Sequence, residues 1–462
     1  MKLGTSDTFL QCREDRVHIY PRELSAILGF NHQQHEEVMK ETHIILRSPR
    51  AATRDVFQGG AAVFGALETP PVEISIQVEA VSKSEIKALA NEADVVAIAR
   101  SMPMKLIEPI SEDGQAQPAA GTPTWGVNAV GAVTSPFSGD GVVVSVLDTG
   151  IDPNHPAFAG VALIQKNFTT AGPNDEHGHG THCAGTIFGR DVGGTRIGVA
   201  PGVKKALIGK VLGPGGGSSD QIADAINWAI ENGAHVISMS LGIDFPGFVK
   251  ILENNGFPTE AAVTQALEGY RANVMLFERL ASLIKARGLF GQTTLVVAAA
   301  GNESRRNATP PYEIAVAPPA VADGVISVAA LGESAAGLTV APFSNTFANV
   351  SGPGVGVVSA KLGGGLVGMS GTSMATPHVA GVAALWAEKI MKAGPLTGVE
   401  WMARLIGSAT RSGLASSFDP ADIGAGLVRA PQPKLFARSS PYEGASARGQ
   451  AGNGLSRGAG GR

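Results

Sequence analysis

Four short segments of this chain carry the residue types that acyl transfer needs. "VLDTGID" offers Asp148, "HGTHCAGT" offers His179, "AAAGN" offers Asn302 and "GTSMATPHVAG" offers Ser373. A serine hydroxyl is a poor nucleophile until a neighbouring base takes its proton. A neutral imidazole can do this near neutral pH. A buried carboxylate sets the imidazole tautomer and stabilises the imidazolium that forms. The oxyanion of a tetrahedral intermediate needs donors, which an asparagine side chain and the Ser373 backbone N–H would supply. A serine at a helix start also gains from the positive end of the helix dipole.

The stretch "NDEHGHGTHCAG" admits another chemistry. His177, His179, His182 and Cys183 fall within seven positions, and short His/Cys tracts bind metals. His179 and His182 at i and i+3 on a helix permit converging zinc ligands. Against this, no glutamate stands in an H-E-x-x-H arrangement and no second Cys/His group is close in sequence.

These residues need a frame. "GVVVSVLDTG", "KKALIGKVLG", "AHVISMSLG", "TTLVVAAAGN" and "GVISVAALG" are apolar runs that end in Gly or polar residues. Helical patterns such as "SDQIADAINWAIENG" lie between them. Buried strands alternating with helices predict an α/β fold, a mostly parallel β-sheet covered by helices on both faces. In such sheets the site forms at the carboxyl ends of strands. Those ends carry Asp148, Ser240 and Asn302.

Residues 1–41 form a polar leader without a usable motif. From 42 to 107 the pattern reads strand, helix, strand, helix, strand, a small α+β unit, with Ser82 or Ser84 capping the second helix. "DVVAIARSMPMKLI" is read as its last strand. Residues 108–124, rich in Pro, Gly, Ala and Gln, read as a linker. The main domain spans 125–435, with a helical insertion at about 244–290, in which 259–288 reads as one long helix or two. The Gly/Ser/Arg-rich tail, 436–462, has the composition of a disordered segment.

The motifs "VLDTGID", "HGTHCAGT", "MSLG", "AAAGN" and "GTSMATPHVAG" stand in the order and wording of the subtilisin-like serine proteases. The chain resembles that family over roughly 125–410, and the "HCAG" wording resembles its proteinase K and thermitase branches. The resemblance implies Asp148, His179 and Ser373 as triad and Asn302 as oxyanion donor. It implies that Ser240, Leu241 and Gly242 form one edge of the substrate cleft. The segment Gly213 to Ser219, with Gly216, forms the other, and a peptide adds as a strand between them. Ala299, Ala300 and Gly301 would wall the P1 pocket, with a floor near Ala317. None is charged, so an apolar P1 preference is expected. Pro318–Pro319 is expected to be cis, as is frequent there in the family.

The unit at 42–107 resembles the family's ferredoxin-like propeptide, which inhibits by laying its C-terminal strand in the cleft. A zymogen processed within 108–124 is therefore expected. No cofactor is expected for the chemistry. Structural calcium is a family habit, but the loop "FGRDVGGTRIG" offers Asp191 as its only candidate carboxylate, so the metal ligands stay unassigned. His182 is expected to pack beneath the site, His177 to sit on the cleft rim, and Cys183 to lie buried behind the histidine.

Other classes fit less well. The net charge of −4 advertises no basic face for nucleic acid. No apolar run approaches a bilayer span. Two cysteines imply no disulfide framework. The first residues lack a signal-peptide core, so a cytoplasmic location or non-standard export is expected. The alternative function is a dedicated maturation peptidase with a narrow peptide substrate, the insertion then serving as a partner-docking element. An inert peptide-binding scaffold is disfavoured because all four catalytic residue types are present.

Overall fold

The computed structural model describes residues 40–48, 73–110, 121–289, 291–415 and 419–433. The leader, most of the linker and the tail lie outside the described residues. Near the N-terminus, β1 (Glu41–Arg47) lies between β2 (Ser75–Val81) and β3 (Val95–Arg100), antiparallel to both. Helix Lys83–Leu89 starts with a capping box in which Ser82 and Glu85 satisfy each other's backbone N–H groups. The stretch read as a single final strand, 94–107, is two. It breaks at Ser101–Met102, and β4 (Pro103–Leu106) leaves the small sheet altogether. Pro103 explains part of this, since it has no N–H for a sheet ladder.

The main domain is built on β5 (Val143–Asp148), β6 (Ala162–Asn167), β7 (Lys205–Lys210), the short β8 (Gly217–Ser218), β9 (Val236–Met239), β10 (Leu241–Ile243), β11 (Leu295–Ala299), β12 (Val325–Ser334), β13 (Gly337–Val340) and β14 (Val350–Pro353). The central sheet runs β13-β12-β11-β9-β5-β7-β6, with β14 on β12. All its pairings are parallel except β12–β13. Successive side chains enter different cores, as a strand's period of two requires. Val144, Val146, Val236 and Val297 join the core under the helices His179–Phe188 and Thr372–Met391. Leu147, Ile237, Val296 and Ala298 join the core under Ser219–Glu231 and Thr259–Gly288. A hairpin of β15 (Val357–Ala360) and β16 (Leu366–Met369) flanks the histidine helix.

The stretch read as one long helix or two is a single helix, Thr259–Gly288, and a separate helix, Phe245–Asn254, precedes it. Its apolar stretch packs inward through Leu276, Phe277, Leu280 and Ile284. The same core takes in Ile44, Leu46, Ala99 and Met102 of the N-terminal unit. Asn273, fully buried, donates to the carbonyl of Arg100 at 2.8 Å, and the Arg100 guanidinium lies 4.9 Å over the Phe248 ring. So the insertion holds the N-terminal unit against the main domain. Among the described residues no helix is long and apolar enough to cross a membrane.

The two faces of the long helix should respond differently to truncation. Leu280 is 1% exposed and Leu267 57%. Leu280→Ala is expected to destabilise by about 2–5 kcal/mol, and Leu267→Ala by less than about 0.5 kcal/mol. Denaturant titration of the full chain checks this; similar losses would overturn the assigned face.

Candidate active site

Asp148 closes β5 at the carboxyl edge of the sheet, and His179 opens the helix His179–Phe188. The carboxylate Oδ1 lies 2.8 Å from His179 Nδ1, with both side chains buried. Burial alone would lower the His179 pKa. The adjacent Asp148 carboxylate more than offsets it and holds the pKa well above the ordinary 6.5. The Nε2 face of His179 is buried and has no hydrogen-bond partner among the described residues.

Ser373 is the second residue of the helix Thr372–Met391, in the first turn, where backbone N–H groups lack intrahelical acceptors. That helix contains Pro377. Proline has no N–H to give to the carbonyl four residues earlier, which is that of Ser373. The freed carbonyl accepts instead from Ser240 Oγ at 3.2 Å and from Cys183 Sγ at 3.4 Å. Cys183 Sγ is also 3.8 Å from His179 Nδ1. One unpaired carbonyl thereby ties the serine, the histidine helix and the end of β9 together. Cys183 is a fully buried thiol whose pKa burial pushes up, so it stays protonated here.

Asn302 follows β11 and is aimed by Thr372. Its Oδ1 accepts from both the backbone N–H and the hydroxyl of Thr372, each at 2.9 Å. This orients Nδ2 as the donor into the cleft. Thr372 lies within the serine motif, but nothing in its local sequence marks this role.

Asp175 was missed in the same way. Its carboxylate accepts from Thr149 Oγ1, from the N–H groups of His177, Gly178 and Thr181, and from Thr181 Oγ1, over 2.7–3.0 Å. The helix start has Gly178 at its N-cap, with no side chain to cap it. Asp175 supplies that cap from outside and links it to the residue after Asp148. Burial raises its pKa and these bonds lower it, with the bonds winning. An aspartate three residues before a bare glycine cap was the available signal.

The remaining histidines divide as follows. His182 is buried and donates from Nε2 toward the carbonyls of Val357 and Val367, on β15 and β16. Burial keeps it neutral, with a pKa of about 3. His177 is on the rim, its Nε2 3.6 Å from the Glu108 carboxylate. Asp148, His179 and Cys183 form the cluster of close ligand-type atoms among the described residues. His177 and His182 take no part in it, so the three histidines do not converge as a zinc set. Asp191 is exposed and joins no such cluster.

The cleft is filled by the chain itself. β4 runs antiparallel between β10 and β8, with Leu106 opposite Leu241, Lys105 opposite Gly242 and Met104 opposite Gly217. Gly216 has φ +83°, and a Cβ there would stand 2.5 Å from the Met104 carbonyl oxygen, so this edge requires glycine. Beyond β4, Ile107 N–H points to the Ser240 carbonyl at 3.4 Å. Ser373 Oγ donates to the Ile107 carbonyl at 2.9 Å, and Asn302 Nδ2 to the Glu108 carbonyl at 2.9 Å. Ile107 is 2% exposed; a Cβ on Gly242 would lie 3.8 Å from Ile107 Cγ1 and 3.9 Å from Ala317 Cβ. Ala299, Ala300 and Gly301 are buried beside Asn302. The Pro318–Pro319 peptide is cis, and the Pro318 carbonyl accepts from Ile243.

The sequence profile of the subtilase family of peptidases matches residues 139–426, more than half of the chain. The chain belongs to the subtilase family of serine peptidases. It is 37% identical over 330 residues to the alkaline elastase YaB of Bacillus sp. (strain YaB), covering 70% of this chain and 72% of that protein. It is 32% identical over 320 residues to the thermostable alkaline protease of Halalkalibacterium halodurans, covering 68% and 72%. Subtilisin-like protease 1 of Trichophyton tonsurans is 31% identical over 311 residues, covering 64% of this chain and 52% of that protein, so the chain spans about half of that relative.

Asp175→Asn turns an acceptor into a donor facing the Thr181 N–H, and is expected to destabilise by about 1–3 kcal/mol. The folded-state pKa of Asp175 is lowered. Its contribution is therefore present in full above the ordinary aspartate range and is lost as pH falls through the folded-state pKa. Stability measured against pH should fall less steeply on the acid side in the variant; identical slopes would count against this role.

Proposed function

We propose that this chain is a serine endopeptidase working through Asp148, His179 and Ser373, held in check by its own N-terminal unit. The observation that carries the reading is the Ser373 hydroxyl 2.9 Å from the carbonyl of Ile107, the residue directly after a strand paired at both edges of the cleft. A peptide added as a strand in this way presents one carbonyl to the serine. In the reaction His179 takes the Ser373 proton as the oxygen attacks. Asn302 Nδ2 and the Ser373 N–H hold the oxyanion, and imidazolium returns the proton to the leaving amine. Water then hydrolyses the acyl-enzyme by the same route.

As it lies, the strand is held short of that geometry. The serine proton is engaged by the Ile107 carbonyl rather than His179, and Asn302 addresses the next carbonyl, that of Glu108. Two donors on two successive carbonyls describe an occupant that is bound and not yet aligned. The bond in register with the serine is Ile107–Glu108, at the edge of the 108–124 linker. Buried Ile107 beside Ala317 and Gly242 supports an apolar P1 preference.

Wild type is expected to cleave an unfolded protein and to yield a fragment beginning at Glu108. Ser373→Ala should do neither and should remain full-length. Mass spectrometry of both checks this: cleavage by the variant overturns the triad, and a first cut elsewhere overturns the register. The base acts only as neutral imidazole, so kcat/KM rises with pH through the His179 pKa. With that pKa raised by Asp148, the acid-limb midpoint should lie above the ordinary 6.5 and move down in Asp148→Asn. A wild-type midpoint at or below the free-imidazole value would contradict it.

A further inference from the structure

The occupied cleft exposes a feature that neither the triad nor the P1 pocket uses. In β4, Met104 and Leu106 are buried, while Lys105 between them keeps a partly exposed side chain. Its Nζ lies 3.6 Å from Asp244 Oδ1 and 3.8 Å from Glu303 Oε1. The two acids come from separate segments of the main domain. Asp244 directly follows β10, the strand paired with β4, and Glu303 directly follows Asn302.

Both carboxylates are held in place by the fold. Asp244 caps the helix Phe245–Asn254, its Oδ1 accepting from Gly247 N–H at 3.3 Å. Its own N–H donates to the Pro103 carbonyl at 2.9 Å. Glu303 Oε2 accepts from Asn345 Nδ2 at 2.8 Å, which leaves Oε1 toward Lys105. Among the described residues, Lys105 is the only cation within ion-pair distance of either acid. Two positioned carboxylates around one position favour a positive charge there.

We propose that Asp244 and Glu303 form a cation-selecting subsite, which makes the enzyme prefer substrates with Lys or Arg two residues before the residue whose carbonyl the serine attacks. The proposal rests on the peptidase reading above. Any peptide added as a strand between β10 and β8 repeats the register of β4. Side chains alternate along a strand, so the residue opposite Gly242 projects where Lys105 does. Arginine suits the site as well, since its planar fork can address two carboxylate oxygens. The Lys105 side chain is the N-terminal unit's own use of the subsite.

The test uses wild-type enzyme prepared from the full chain and four quenched peptides with Ile at the attacked position. They differ only two residues earlier, by Lys, Arg, Ala or Glu. For partly exposed ion pairs the expected gain in kcat/KM of Lys or Arg over Ala is roughly 3- to 10-fold, with Glu below Ala. The preference should shrink as ionic strength rises toward about 1 M. In Asp244→Asn/Glu303→Gln the Lys-to-Glu ratio should fall to about one, in keeping with loss of both charges. Equal rates for the four peptides with wild type would overturn the proposal, and so would a ratio unaffected by salt. A preference that survives the double substitution would overturn its assignment to these two acids. Absence of turnover of every peptide would strike instead at the peptidase reading.

Discussion

An extended strand has hydrogen-bonding groups on both of its edges, and an open edge is a template for another strand. The main domain has two such edges facing one another, Leu241–Ile243 and Gly217–Ser218. β4 satisfies both at once. The rest of the arrangement depends on this three-stranded pairing. It sets the register that carries Ile107 to the serine, and it brings Lys105 between two carboxylates. It also explains why β4 deserts the small N-terminal sheet, and why the long helix and its neighbour must hold the remainder of that unit by its apolar face.

Around Asp148, His179, Asn302 and Ser373, the polar groups are organised by what the backbone leaves unpaired. Pro377 frees the Ser373 carbonyl, and Ser240 and Cys183 take it up. Gly178 leaves the histidine helix without a side-chain cap, and Asp175 provides one from four residues before His179. The side-chain carbonyl of Asn302 is taken by Thr372, so only its N–H₂ faces the cleft. Buried polar groups without partners are costly, and each of these contacts removes such a cost while fixing the position of a candidate site residue.

Much of the frame was legible from local pattern. Continuous apolar runs marked the buried parallel strands, because both faces of each are covered. Ser82, one of two candidate caps with Ser84, marked the start of a helix, and the apolar spacing of 274–284 marked a packed helix face. Asp148, His179, Asn302 and Ser373 stood out because their types and glycine-rich settings suit strand ends and helix starts. The split of 94–107 into β3 and β4 was not legible. Its apolar pattern continues across the break, and only the competition between two sheets for the segment decides where it goes. Asp175 and Thr372 were passed over because their roles are defined by partners on other segments.

The sequence by itself determined the residue types available for acyl transfer, their order, the family to which the chain belongs and the layered α/β frame. These follow from local chemistry and from periods of two and 3.6 residues. Only the tertiary structure decided which carbonyls meet Ser373 and Asn302, which acids surround Lys105, and that the insertion holds the N-terminal unit. Those outcomes depend on register and approach between segments far apart in sequence, such as Ile107 and Ser373, 266 positions apart, and no local pattern encodes a register of that kind.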